Sequence, residues 1–292
     1  MPLSINKHGR IAGYYTVSGG ADHGFLRKAN GAIATIDVPG ATDTTATTIN
    51  DDGRIAGFWA DANGTHGFVR KPNGAISTFD AGQPGGGTYP TAINSNGEIA
   101  GYIAYFNNQP VYGFVRTAAG GITTFDPPGY TVTFAQAINR AGATAGQYDD
   151  SNGSDHGFIR HSGGAFTLFD PIGSSLTFVN GIDRSGDAAG YYFDGSSSHG
   201  FVRMHASGAI SAFDPPGLFE THVQGIDDAG RIVGYSFATP DEARGFVRKP
   251  NGSFAVFNVP GADATYAQSI SNGSVTGYYL DSSGAHGFLR TL

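Results

Sequence analysis

The chain has no cysteine, one tryptophan and two methionines among 292 residues. Without thiols, disulfides, cysteine-ligated zinc and thiolate nucleophiles are excluded. Charge is scarce as well, at 14% of residues, with a net charge of −7 and no basic tract. Binding of nucleic acid through phosphate contacts is therefore not expected. No apolar run nears the roughly 20 residues that cross a bilayer as a helix, so no membrane insertion is expected. A sustained 3.6-residue period is missing too, which argues against long helices. The opening Met1-Pro-Leu-Ser-Ile-Asn6 lacks the charged and apolar regions of a signal peptide. An exported form would carry its leader ahead of this segment.

What is abundant is glycine, at 46 residues, with 21 phenylalanines and 14 tyrosines. That mixture suits short strands joined by tight turns. The strands are organised by one pentapeptide, His66-Gly-Phe-Val-Arg70, which returns six more times with phenylalanine at 25, 114, 158, 201, 246 and 288. Arginine follows two places later in every copy, at Arg27, Arg70, Arg116, Arg160, Arg203, Arg248 and Arg290. A unit of this length is too short to bury a core alone, so the units must stack on one another.

Residues 44–80 show the grammar of one unit. Thr44 to Ile49 forms strand A, and Asp52-Gly53 supplies the turn into strand B, Arg54 to Trp59. A polar loop leads to strand C, His66 to Arg70, and Asn73-Gly74 turns the chain into strand D, Ala75 to Phe79. Two consecutive hairpins on a period of this size make a propeller blade. The chain holds seven A, B and C strands but six D strands, because it stops after the seventh C strand. The expected fold is therefore all-β: a seven-bladed β-propeller of four-stranded antiparallel blades, with A innermost, D outermost and a three-stranded last blade. The repeats fall near 1–40, 41–84, 85–129, 130–173, 174–217, 218–260 and 261–292, and a monomer is expected. A longer parent chain with a D-type strand ahead of residue 1 could complete the last blade.

The composite unit Thr-x-x-x-x-Ile-Asn-x-x-Gly-x-Ile-Ala-Gly-Tyr followed by His-Gly-Phe-Val-Arg resembles the HAF repeat family of bacterial extracellular proteins. Gly24, Gly67, Gly157, Gly200 and Gly287 stand where that family has alanine, and Phe79-Asp80 replaces its Leu-Gly. The resemblance spans the chain. It implies export, to the periplasm or beyond the cell, and carries no catalytic signature.

Histidine precedes Gly-Phe at 23, 66, 156, 199 and 286, and strand D ends in Asp37, Asp80, Asp126, Asp170 and Asp214, with Asn258 in the sixth copy. Across a C–D hairpin these residues face each other. A hydrogen bond repeated in each blade is the expected role, since catalysis needs one site and not five. The repeated arginines are expected to pair with a carboxylate or carbonyl or to pack their stems. Residues that differ between repeats are better candidates for function. After the first strand-A threonine come Thr45, Tyr89, Phe134, Phe178, His222 and Tyr266, and two places further on Thr47, Thr91, Gln136, Asn180, Gln224 and Gln268.

Aromatic rings beside amides at a channel mouth suit a carbohydrate or another compact polar ligand. Tyr89, Phe134, Phe178, Gln136, Gln224 and Gln268 are the candidate ligand-binding residues; blade packing and backbone capping are their structural alternatives. The alternative function is a hydrolase or lyase acting on a glycan-type substrate in the same funnel. Its candidate catalytic residues are His222, Tyr266 and Arg244, beside Asp241-Glu242. An interaction scaffold stands beside ligand binding in the first reading. No cofactor is implied; Asp149, Asp150 and Asp155 could offer carboxylates to calcium, although the full ligand series of a calcium loop is missing. Repeat three also carries Tyr105, Tyr112 and the altered loop Asn107-Asn108-Gln109-Pro110.

Overall fold

The computed structural model describes residues 1–105 and 110–292; Asn107-Asn108-Gln109 of the altered loop lie outside them. All elements among the described residues are strands, and no helix is long and apolar enough to cross a membrane. Blade one comprises β1 (Pro2–Ile5), β2 (Ile11–Thr16), β3 (Asp22–Arg27) and β4 (Ile33–Ile36). Blade two comprises β5 (Asp43–Ile49), β6 (Ile55–Asp61), β7 (Gly64–Arg70) and β8 (Ile76–Phe79). Blade three follows with β9 (Gly86–Ile93), β10 (Ile99–Tyr105), β11 (Val111–Arg116) and β12 (Ile122–Phe125), and blade four with β13 (Thr133–Ile138), β14 (Thr144–Asp149), β15 (Asp155–Arg160) and β16 (Phe166–Phe169). Blade five is β17 (Leu176–Ile182), β18 (Ala188–Phe193), β19 (Ser198–Arg203) and β20 (Ile210–Phe213). Blade six is β21 (Phe219–Ile226), β22 (Ile232–Thr239), β23 (Glu242–Arg248) and β24 (Phe254–Phe257). The last blade holds three strands, β25 (Ala264–Ser271), β26 (Ser274–Asp281) and β27 (Gly284–Thr291).

Each sheet is antiparallel with strands in chain order, and the A strands of all seven blades line one axial cavity. This is the seven-bladed propeller that the strand count predicts, with A inside. No strand is exchanged between the first and last blades. The ring closes by packing, with the Ile5 amide donating to Ser269 Oγ at 3.3 Å.

The repeated motif earns its recurrence at the joints between blades. Phe68, Phe114, Phe158, Phe201 and Phe246 of the C strands are wholly buried. The D-strand phenylalanine of the preceding blade packs edge-on against four of these five, as Phe125 does against Phe158 with centroids 6.1 Å apart. The repeated arginine then lies over that same D-strand ring, at 4.8 Å for Arg160 over Phe125 and 4.2 Å for Arg290 over Phe257. It thus serves packing and a cation–π contact. The motif's glycine is required by the same ring. A Cβ on Gly67 would come within 2.6 Å of Phe79.

The Ile-Asn-x-x-Gly turns tie the lower rim. In Asn139, Oδ1 accepts the amides of Ala141 and Ala143, while Nδ2 donates to Asp183 O of the next blade at 3.0 Å. Asn6, Asn50 and Asn94 make the same bond to the next blade at 2.9, 2.9 and 3.0 Å. One side chain caps its own turn and bridges to its neighbour, which an amide can do and an ionised carboxylate cannot. Asp183 and Asp227 occupy the position in blades five and six. They keep the cap but have no donor for the bridge. Burial raises the Asp183 carboxyl above the usual carboxylate range, whereas Asp227 pairs with Arg231 at 2.6 Å.

Candidate functional site

The varied position on strand A owes its direction to a backbone irregularity. Each A strand carries an extra residue relative to its B partner at one equivalent place: Leu3, Thr47, Thr91, Gln136, Asn180, Gln224 or Gln268; β21 carries a second, between Phe219 and His222. A bulge residue leaves the strict alternation of the strand, so its side chain can be re-aimed. Here all seven line the axial cavity of about 460 Å³. The bulge also brings strand A so near strand B that a Cβ on Gly146 would lie 1.9 Å from Phe134 O, which explains the glycine repeated at that position.

The seven bulge side chains differ in what they bond. Thr91 Oγ1 is 3.2 Å from Ala100 O of its own blade and 2.8 Å from Ala135 O of the next. Thr47 repeats this pattern, and Asn180 Nδ2 reaches Val223 O at 2.8 Å. These three hold blades together. Gln136, Gln224 and Gln268 make no protein hydrogen bond among the described residues. One side of the cavity therefore presents unclaimed amides, and the opposite side presents Leu3 and two committed threonines. Below it, the A–B turns enclose a wider chamber of about 760 Å³.

The candidate rings occupy another place. Tyr89 stacks on Tyr102 at 5.0 Å, and Tyr102 meets Phe134 of the next blade at 5.1 Å. Phe178, Tyr191, His222, Tyr235, Tyr266 and Tyr278 continue this pattern with centroids 4.8 to 5.0 Å apart. The rings thus form a half-buried belt at blade joints, and only the amides line the cavity. Thr45 is buried.

His222 and Tyr266 flank the same ring, Tyr235, each 5.0 Å from its centroid. Burial lowers His222 below the ordinary imidazole value, against the opposing charge of Glu220. Burial first, then neighbouring phenols, push Tyr235 up to about 12. Arg244 does not join them. It sits opposite Ser236, whereas His222 sits opposite Tyr235, and successive strand residues point to opposite faces. Its guanidinium pairs with Glu242. The three candidate catalytic groups therefore do not form one cluster.

Blade four departs from the belt in a way not read from the sequence. Gln147 takes the place that Tyr102 and Tyr191 hold in the neighbouring blades, opposite Phe134. Two residues on, Asp149 and Asp155 face each other across β14 and β15. Burial raises both carboxyls. The charge of Asp149 raises Asp155 further, to about 7, and Asp150 adds to the rise at Asp149. Asp149 Oδ1 and Gln147 Oε1 are buried without a hydrogen-bond partner. Asp155 also raises the Tyr191 phenol of blade five, after burial. The signal in the sequence was aspartate on both sides of one B–C loop. Asp150 instead caps that loop through the amides of Asn152 and Ser154. The three aspartates do not gather on one point, and no group of three or more His, Cys, Asp or Glu side chains that could hold a metal occurs among the described residues.

The repeated histidines face the expected aspartates, with Nδ1 to carboxylate distances of 2.9 Å at His23–Asp37, 2.7 Å at His66–Asp80, 2.8 Å at His156–Asp170 and 2.7 Å at His199–Asp214. The sequence reading missed two further members of this clamp. Nε2 meets a second carboxylate from the B–C loop, Asp61 or Asp194 at 3.3 Å, and the imidazole stacks on a ring such as Trp59 at 4.6 Å or Tyr148 at 5.3 Å. Asp170 and Asp214 extend the clamp to Thr177 and Thr221 of the next blade. The recurring His–Asp pair is thus a joint.

No family model matches the chain, and no curated protein does. Solved structures do. Virginiamycin B lyase from Staphylococcus aureus is 13% identical with a TM-score of 0.63, covering 100% of this chain and 94% of that one. A streptogramin B lyase is 16% identical with a TM-score of 0.64, over 100% and 93% of the two chains. The propeller domain of the Trilobed protease from Pyrococcus furiosus, described as having an open velcro topology, is 10% identical with a TM-score of 0.70, over 99% and 91%. At such identities the likeness concerns the fold alone.

Proposed function

We propose that this propeller binds a carbohydrate or a similarly compact polar ligand in its axial cavity. The observation that carries this reading is the set of three unclaimed amides, Gln136, Gln224 and Gln268, on one wall of a cavity of about 460 Å³. That volume lies within the range of small-ligand sites, and primary amides match the paired donor and acceptor character of sugar hydroxyls. The aromatic belt supports this site as a rigid collar; its rings are committed to one another and are not the main contact surface. On the resemblance of its repeats to the HAF family, the protein acts outside the cytoplasm. The test is a glycan array followed by calorimetry on the best soluble oligosaccharide. A triple Gln136→Leu, Gln224→Leu, Gln268→Leu variant should keep its circular dichroism and lose binding. Equal binding by the triple variant rejects the site.

A second reading, a lyase or hydrolase, is favoured by one specific feature, the Asp149–Asp155 pair beside Tyr191. Two carboxyls whose titrations are driven apart can serve as acid and base near neutral pH. Broad lyase and hydrolase panels test it: turnover that disappears in Asp155→Asn supports it, and inactivity across the panels removes it.

A further inference from the structure

We propose that the lower face of the propeller, where the A–B and C–D turns lie, docks on a membrane through the phosphate groups of anionic phospholipids. This docking is independent of what the axial cavity binds. No stretch of the sequence is basic, because the repeat scatters its cations around the ring. Antiparallel strands in chain order send every A–B and C–D turn to one end of the ring and every B–C and D–A loop to the other. Sixteen of the seventeen lysines and arginines fall at the turn end, with seven of the twenty-four aspartates and glutamates. The loop end holds the other seventeen carboxylates and one cation, Arg244. A chain of net charge −7 therefore carries a formal surplus of nine positive charges below and sixteen negative charges above.

The positive charge lies at the outer rim. The C–D hairpins carry the seven motif arginines and the exposed Lys28, Lys71 and Lys249, and no Asp or Glu stands between the motif arginine and the end of strand D. The guanidiniums sit at the turns themselves. In six blades Nη2 lies 3.4 to 3.9 Å from where a Cβ would stand on the turn glycine, Gly31, Gly74, Gly120, Gly164, Gly208 or Gly252. All seven carboxylates of this end belong to the A–B turns, nearer the axis. Among the described residues Asp187 alone hydrogen-bonds to a C–D turn, at the His205 amide. Of the sixteen cations, only Lys7 and Arg231 form an ion pair among the described residues, with Asp51 and Asp227. The rings beneath five of the motif arginines leave their charge unneutralised.

The shape of this face selects the partner. Five C–D turns close with the same bond, from the amide of the residue after the arginine to the carbonyl four places on, and the turn at Met204 is one residue longer. Six A–B turns likewise share one length. Turns so uniform end at one level, and the cations form a ring without a groove. A single-stranded polymer is held in a groove that tracks its backbone. A level array of guanidinium and ammonium groups instead matches a plane of phosphates. Ile33, 68% exposed, and Met204, 41% exposed, stand on the same rim, where they offer apolar contact at the headgroup layer. The acidic end is repelled by the same surface, so the molecule lands one way up.

The test is flotation of the full chain with vesicles of phosphatidylcholine, alone or with about one third phosphatidylglycerol, at low salt. Binding to the anionic vesicles only is expected, with loss near 1 M salt, where the Debye length is about 3 Å. Lys28→Gln, Lys71→Gln and Lys249→Gln together should weaken binding about tenfold or more. Ser18→Glu, Ser151→Glu and Ser282→Glu together make the same change of three charges at exposed B–C loops, and should alter binding less than about twofold. Circular dichroism checks that both variants fold. Absence of binding to the anionic vesicles overturns the proposal, as does equal binding by the lysine variant. Equal weakening by the serine variant would report net charge and no particular face, and overturns it too. Tighter binding of heparin or duplex DNA than of the vesicles would make a soluble polymer the occupant and overturn it equally.

Discussion

The layer between blades and the wall of the axial channel follow opposite rules. Between blades, the same groups recur in the same bonds: phenylalanine on phenylalanine, arginine over the ring, asparagine to the next carbonyl, aspartate to the next blade's threonine. On the channel wall, seven equivalent bulges carry leucine, threonine, asparagine or glutamine. A joint between twisted sheets of fixed spacing accepts few solutions, so the solution repeats. A side chain turned into an open channel meets no such demand and is free to differ. That contrast assigns stability to the repeated layer and, under the proposed function, ligand contact to the varied one.

The strongest challenge to it is removal of a shared ring. Phe158→Ala, at a position with 0% exposure between two other phenylalanines, should cost about 3–5 kcal/mol in urea denaturation. Next comes the lower rim, where the repeats are imperfect and can be altered in both directions. Asn139→Ala removes a turn cap and the bond to Asp183 O, and should cost about 1–3 kcal/mol. Asp183→Asn keeps the cap, removes a buried carboxyl and restores a donor towards blade six. It should stabilise the ring by about 1 kcal/mol. Destabilisation by Asp183→Asn would mean that the carboxylate has a role of its own there.

The His–Asp clamps offer a comparison by pH. Burial opposes the charge of His66, His156 and His199, but their flanking aspartates outweigh it and raise all three. The clamp's contribution is then complete below the unfolded value of about 6.5 and is lost as pH rises through the raised folded values. Bonds from their own loops lower Asp61, Asp150 and Asp281. Their contribution is present above about 3.8 and is lost as pH falls through the lowered values. Melting temperature should therefore be highest between these limits and decline above the upper one. Blade three lacks the clamp because Tyr112 replaces the histidine. There burial pushes Asp126 up to about 6, with only a bond from Thr133 opposing it. Its stabilising form is the protonated one, lost as pH rises from about 3.8 through about 6. Tyr112→His should supply the missing partner and lower the Asp126 pKa, which carboxyl NMR titration would detect.

The ring, the blade order and the short last blade were legible because glycine turns and strand lengths are local properties repeated seven times. The His–Asp contact was legible because hairpin register fixes which residues face each other. Four features were not. A bulge adds one residue without a composition signal, so the separation of Phe134 from Gln136 into belt and channel could not be read from their spacing. The second carboxylate on His66, His156 and His199 comes from a loop whose path depends on its own capping. Arg244 looked adjacent to His222 in its repeat, but alternation places it on the opposite face. The Asp149–Asp155 pair required the register of two particular strands, and Gln147 looked like an ordinary polar residue until the ring it replaces was known.

The smallest stability effect carries the sharpest test of the contrast. Thr91 and Gln224 hold the same bulge position, but the threonine hydroxyl contacts two carbonyls and the glutamine amide contacts none among the described residues. Thr91→Val should therefore cost about 1 kcal/mol, whereas Gln224→Leu should change stability by less than about 0.5 kcal/mol while weakening whatever the channel binds. The two substitutions are matched in position and in the loss of polarity, so their difference measures how far the channel wall has been released from holding the ring. If Gln224→Leu destabilises as much as Thr91→Val, the glutamines belong to the joint after all, and the division between a structural layer and a ligand-facing wall fails at the position where it was drawn.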